Sequence, residues 1–254
     1  MKSKAGAQIN HSILDGIAVL QAIAGAPAPI GGKEIAERLG LENTRVNRLL
    51  KTLASVGIAQ QTTNRKYTPG PGIHVLATQS LYASGLLRSA IPSLEKLTQL
   101  NLTVAMGVLW FDTVSYVFHA KPGMSAAEGI GRVGLRPATM SGIGMALLAN
   151  SPIESVIEVY KDKTIPNFPD GVDSLLAELE KIRQQGWTRF QFQPDGEVTP
   201  NKAYTVSLTV GQPANSAIAL QGDISEDDTQ TVLTALREAK QAIEIELAKI
   251  KSLT

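Results

Sequence analysis

At 254 residues the chain can hold one large or two modest domains of ~100–200 residues each. Its 43% hydrophobic and 19% charged residues exclude a disordered or fibrous chain, and the absence of cysteine excludes a disulfide scaffold, a thiolate metal site and a cysteine nucleophile. The net charge of +1 conceals an asymmetry: residues 1–70 hold nine Lys/Arg against four Asp/Glu, a balance of +5, and the remainder carries −4, the pattern of a polyanion-binding module joined to something else.

No apolar stretch of signal-peptide length follows Lys2 and Lys4, and no run approaches the ~18–20 residues of a membrane helix, so a cytoplasmic protein with no membrane partner is expected. Ile9, Ile13, Ile17, Leu20 and Ile23 recur at three- and four-residue steps and predict a helix over 9–24 that stops in Gly25-Ala26-Pro27-Ala28-Pro29. A second helix follows Gly31-Gly32, with Ile35, Ala36 and Leu39 inward and Gly40 at its end. After a turn at 41–44, where Asn43 or Thr44 is placed to cap it, a third helix buries Val46, Leu49, Leu50 and Leu53. Arg45, Asn47, Arg48 and Lys51 stay off its core face, which completes a helix-turn-helix pattern. The strands expected at 58–62 and 66–68, joined by Thr63-Asn64-Arg65, form a wing, and Pro69-Gly70-Pro71-Gly72 marks a break. The first domain is therefore assigned to 1–70. Two helices, one to about Ser84 and one to about Gln99, make a linker over 71–100.

The rest, 101–254, reads as strands at 102–110 and 114–120 around a Phe111-Asp112-Thr113 turn, then an irregular stretch over 121–137. Ser141-Gly142-Ile143-Gly144 leads into a helix reaching Leu148, and Ser151-Pro152-Ile153-Glu154 reads as a capping box with proline at the first helical position. A helix over 173–185 ends at Gly186, strands follow at 187–193, 204–210 and 216–221, and a last helix begins after Ser225. The connections within strand pairs are too short for parallel crossovers, so an α+β body with a mainly antiparallel sheet flanked by helices is expected.

The third helix carries the clearest chemistry. Residues near the start of a recognition helix reach base edges in the major groove, which Thr44, Arg45, Asn47 and Arg48 suit; Lys51, Arg65 and Lys66 suit phosphates. The bland alternative is a solvated charged face. Gly129, Gly131 and Gly134 have the spacing of a dinucleotide loop, but no strand precedes them and Pro137 would break the helix that must follow, so a flexible loop is the reading. The start of the Gly142 helix can hold a carboxylate on its free N–H groups, or can merely pack closely through small residues. His11, His74 and His119 lack metal-ligand spacing, and Ser141 lacks the glycine two residues earlier that a nucleophile elbow needs. Neither a cofactor, a metal nor an enzyme is expected.

Ile35-Ala36-Glu37-Arg38-Leu39-Gly40-Leu41, then Val46-Asn47-Arg48-Leu49-Leu50-Lys51-Thr52-Leu53 and Gly57, resemble the winged helix-turn-helix of the IclR family of bacterial transcriptional regulators. Tyr67-Thr68-Pro69-Gly70 resembles its wing exit, Ser141-Gly142-Ile143-Gly144-Met145-Ala146-Leu147-Leu148 its effector-domain helix start, and Gln185-Gly186-Trp187 a strand start there. The resemblance implies a homodimer or tetramer on double-stranded operator DNA, with a GAF-like C-terminal domain that binds a small organic or aromatic acid. It places the effector against Gly142, Ile143, Phe190, Tyr204, Ala219 and Gln221. Ring-bearing side chains where the family favours an acid, a cysteine and small hydroxyls point to an aromatic or larger apolar ligand, and equally to a pocket filled by its own side chains. The rival expectations are a protein-interaction or small-molecule-binding module without specific DNA binding, and an enzyme on the C-terminal domain, for which no acid/base pair is visible.

Overall fold

The computed structural model describes residues 10–131, 134–192 and 203–252. The chain divides between Ser84 and Gly85 into two units, each with its own core. In the first, α1 (His11–Ala24) begins at Asn10, whose side-chain oxygen accepts the N–H groups of Ser12 and Ile13 at 3.0 and 3.3 Å. Then come α2 (Gly32–Leu39), α3 (Asn43–Ser55), the hairpin β1 (Ala59–Gln61) and β2 (Tyr67–Pro69), and α4 (Pro71–Ser84). Gly40 ends α2 at φ 64°, a conformation that costs glycine little. Val19, Ile23, Ile30, Ile35, Val46, Leu50 and Tyr67 form the core. Ile30 exchanges two backbone hydrogen bonds with Tyr67, at 3.0 and 2.8 Å, and so ties the loop before α2 to the wing.

Three local expectations change here. Glu42 holds the N-cap position of α3 without a side-chain cap bond, while Asn43 already lies inside the helix and its Oδ1 accepts from the Asn47 amide at 3.1 Å. The periodicity of α1 places Ile13 and Ile17 inward, yet they are 59% and 38% exposed, because the small unit covers only the second half of the helix, at Val19 and Ile23. The expected linker divides: α4 belongs with the first unit and buries none of its side chains, whereas α5 (Leu86–Thr98) buries Leu86, Ala90, Leu94 and Leu97 in the core of the second.

The second unit continues with β3 (Thr103–Trp110), β4 (Thr113–Ala120), the short α6 (Ala126–Gly129), β5 (Arg136–Pro137), a 3-10 turn at Ala138–Met140, α7 (Gly142–Ala149), α8 (Ile153–Tyr160) and α9 (Val172–Gln185). It closes with β6 (Thr188–Phe192), β7 (Ala203–Val210), β8 (Ser216–Gly222) and α10 (Asp228–Lys251). The strands form one sheet in the order β5-β4-β3-β8-β7-β6, with every neighbouring pair antiparallel. Alternation along the strands separates two cores. Val104, Met106, Phe118, Val206, Leu208, Ile218 and Leu220 face α5 and α10; Ala105, Val114, Ala217 and Ala219 face α7, α8 and α9. Pro152 takes the cap position of α8 and the Ser151 hydroxyl donates to the Leu147 carbonyl at 3.0 Å, so the capping box expected there does not form.

All eight residues of α7 are buried, and its first turn touches the preceding chain: a Cβ on Gly144 would overlap the Ala138 carbonyl. Backbone, not a side-chain tip, blocks that space, so the strain cannot be relieved by a rotamer change. Gly144→Ala is expected to destabilise the second unit by about 1–3 kcal/mol in urea unfolding; an unchanged midpoint would show that the approach is not tight.

Candidate nucleic-acid interface and a small cavity

Three basic residues of the first unit, Lys33, Arg38 and Arg45, have acidic partners. Lys33 and Arg38 pair with Glu37 and Glu34 one turn along α2, and the Arg45 guanidinium forms an ion pair with Asp15 of α1. That pair is partly shielded, and the Asp15 Oδ2 atom it engages is buried without a hydrogen bond. Arg45, expected among the outward groups of α3, therefore braces α3 against α1. Among the described residues Arg48, Lys51, Arg65 and Lys66 make no ion pair and are exposed. Thr44 and Asn47 are exposed as well, with Asn47 hydrogen-bonded along its own helix to Asn43. The wing tip is held by two backbone hydrogen bonds, Thr62 to the Lys66 carbonyl at 2.8 Å and Arg65 to the Thr62 carbonyl at 3.0 Å, with Arg65 at φ 57°. This surface offers four uncompensated cations and two short polar groups on one helix and one hairpin, a combination suited to phosphates and base edges.

In the second unit, a small cavity of about 20 Å³ lies between the sheet and the start of α7, bordered by Ala105, Tyr116, Met140, Ser141, Gly142, Ile143, Phe190, Thr205, Ala219 and Gln221. Five of the six residues expected around an effector thus border one space: Gly142, Ile143, Phe190, Ala219 and Gln221. Tyr204 does not. It lies on the other face of the sheet, where its ring sits 3.5 Å below the Arg189 guanidinium. That guanidinium also donates to the Thr229 hydroxyl at 3.2 Å and the Ile224 carbonyl at 2.9 Å. Thr205, one residue on and paired with Phe190, takes the place expected of Tyr204. Sequence reasoning also missed Tyr116 and Ser141, although Ser141 carried a signal as the residue before the glycine pair.

The Ser141 hydroxyl caps α7 by accepting the Gly144 N–H at 3.2 Å, and it lies 2.9 Å from the Tyr116 hydroxyl. Behind it the Thr188 hydroxyl lies 2.5 Å from that of Ser207 and 3.3 Å from the Gly142 carbonyl, which fixes β6 to β7 and α7. Phe190 also borders a second, open cleft of about 440 Å³ between β6, α9 and the Asn167–Asp170 loop. Elsewhere in this core, burial and the nearby charge of Asp112 push the Tyr160 phenol well above its ordinary range, and its hydroxyl has no hydrogen-bond partner. Among the described residues no group of three His, Asp or Glu is placed to hold a metal ion, and no helix is long and apolar enough to cross a membrane.

Residues 12–63 match the IclR helix-turn-helix domain. Over 183 residues the chain is 30% identical to the HTH-type transcriptional regulator KdgR of Dickeya chrysanthemi, a stretch covering 69% of this chain and 59% of that relative. The chain thus spans about three fifths of the length of that protein. The fold resembles the crystal structure of an IclR family transcriptional regulator from Brucella abortus, with a TM-score of 0.71, 20% identity and 96% of each chain covered. It also resembles an IclR homolog complexed with 4-hydroxybenzoate from Microbacterium hydrocarbonoxydans, with a TM-score of 0.64, 20% identity, and 94% of this chain and 99% of that one covered. The expected α+β architecture, a winged helix-turn-helix followed by an antiparallel sheet with helices, is the one found.

The two arginines of α3 should separate in stability measurements. Arg45→Ala leaves a buried carboxylate oxygen unpaired and is expected to cost about 1–2 kcal/mol, less than a fully buried pair because both partners keep some solvent. Arg48→Ala should stay within about 0.5 kcal/mol of the parent in denaturant unfolding. Equal effects would remove the bracing role from Arg45.

Proposed function

We propose that the chain is a member of the IclR family, a cytoplasmic, DNA-binding transcriptional regulator whose second unit senses a small organic acid; the match of residues 12–63 to the IclR helix-turn-helix domain and the likeness to KdgR support this. The carrying observation is the set Arg48, Lys51, Arg65 and Lys66, exposed and without ion pairs on α3 and the wing while the neighbouring cations are neutralised. Arg48 and Thr44 read bases in the major groove, with Asn47 beside them, and the lysines and Arg65 hold the phosphate backbone. The acid binds on the α7 side of the sheet, against Gly142, Ile143, Phe190, Thr205, Ala219 and Gln221. The 4-hydroxybenzoate complex of a protein with this fold supports an aromatic acid as the ligand. Occupancy changes DNA affinity by favouring one of two conformations of the regulator.

The regulator works as a homodimer, which can pair further into a tetramer. Ile13, Leu14 and Ile17 on α1, and Val75, Leu76 and Tyr82 on α4, are exposed apolar side chains of the first unit. A second copy would cover them, and two copies present two recognition helices to a two-fold operator.

Selection of genomic fragments by the full-length protein, followed by affinity measurement on a selected and a random duplex, tests this reading. Arg48→Ala should lose about 1–3 kcal/mol on the selected duplex and much less on the random one, whereas Lys66→Ala should weaken both alike and flatten the salt dependence. Failure to bind any duplex at low salt would overturn the reading.

A further inference from the structure

The α7 side of the sheet is lined in its middle by small residues. Ala105 on β3 lies opposite Ala219 on β8, and Gly107 opposite Ala217. Such residues leave a hollow under α7, yet only about 20 Å³ of it is empty. A single water needs roughly 10–15 Å³, whereas pockets for small organic molecules run to roughly 300–1,000 Å³. Nothing larger than water enters unless a side chain leaves.

Several of the walls have little to move. Ala105 and Ala219 are minimal. Gly142 sits so close to the sheet that a Cβ there would lie 3.1 Å from Thr205 and 3.3 Å from the Thr188 hydroxyl. Ile143 is wholly buried. Met140, Phe190 and Gln221 are half-buried and can move, but Tyr116 is tied to the start of α7 by a hydrogen bond. It is half-buried and stands opposite Gly107 on β4, where the β3–β4 ladder skips Val117. Its ring reaches across to α7 and is held by two contacts, the hydrogen bond to Ser141 at 2.9 Å and an edge-to-face contact with His119 at 5.8 Å. Ser141 is itself buried, and capping α7 occupies only part of its hydroxyl.

We propose that Tyr116 is the built-in occupant of this cavity and the residue that determines which ligand is admitted: a ligand binds by displacing the Tyr116 ring and taking over its hydrogen bond to Ser141. This rests on the reading of the α7 side as the effector face. The hollow left behind has the size of one six-membered ring with a hydroxyl-bonding group at one end. The ligand class is therefore a single-ring aromatic with a hydroxyl or carboxylate that reaches Ser141. Phe190, which borders both this cavity and the open cleft, remains as the wall on the far side.

Calorimetric titration of the full-length chain with 4-hydroxybenzoate, phenol and benzene tests the proposal. Tyr116→Phe keeps the ring and removes the latch, so 4-hydroxybenzoate should bind it about 2–10-fold tighter than the parent, the equilibrium factor of one hydrogen bond. Tyr116→Ala opens the hollow; it should bind phenol at least about tenfold tighter than the parent does and prefer phenol to benzene, because Ser141 remains to be satisfied. Equal affinities of parent and Tyr116→Phe overturn the latch, and equal phenol and benzene binding by folded Tyr116→Ala removes Ser141 as the partner. If Tyr116→Ala does not fold, Tyr116→Phe alone decides. DNA affinity is read separately: loss of specific DNA binding in the parent would sink the regulator reading while leaving these ligand affinities intact.

Discussion

In an antiparallel sheet successive side chains point to opposite faces, so a shift of one residue exchanges one surface for the other. With helices on both faces of the six strands here, that alternation decides which of two cores each residue enters. On the α5 and α10 side the strand residues are mostly large and apolar. On the α7 side the central residues are alanine and glycine, and α7 approaches the sheet closely because Gly142 carries no side chain. The small cavity and the placement of Thr205 follow from this two-residue repeat, whereas Tyr116 reaches the α7 side because the β3–β4 ladder skips Val117.

The first unit depends on a different balance. Ion pairing neutralises Lys33, Arg38 and Arg45, one of which also braces α1 to α3. The excess charge is thereby concentrated on Arg48, Lys51, Arg65 and Lys66, the cations farthest along the recognition helix and at the wing. Of the remaining cations in 1–70, Lys2 and Lys4 lie outside the described residues.

Much of this was legible in the sequence where the signal is local. Gly40, the glycines around Pro69 and the Ser141-Gly142 step mark breaks whose chemistry needs no tertiary partner, and the helices and strands they bound lie close to their expected positions. What was not legible is tertiary. Arg45 reads as an outward cation because nothing in α3 reveals Asp15 across the unit. Tyr204 lies on the opposite face of the sheet from the five residues expected beside it, where Thr205 stands, because the sequence between β6 and β7 gives no periodicity to carry the alternation across. Tyr116 escaped because β4 carries no glycine or turn signal, and only the packing of α7 onto Ala105 and Ala219 makes its ring significant. Ile13 and Ile17 obey helical periodicity and remain exposed, since periodicity identifies an apolar face without saying what covers it.

The central claim, that ligands are sensed on the α7 side of the sheet, is tested most directly by hydrogen exchange of the full-length chain with and without saturating 4-hydroxybenzoate. The account predicts slower exchange in peptides covering Tyr116, the turn and first residues of α7 from Ala138 to Gly144, and the strand positions around Phe190, Thr205 and Gln221, with α5 and the α10 face of the sheet unchanged. Protection confined to α5, α10 and the Tyr204–Arg189 side, with the α7 side unaltered, would contradict it.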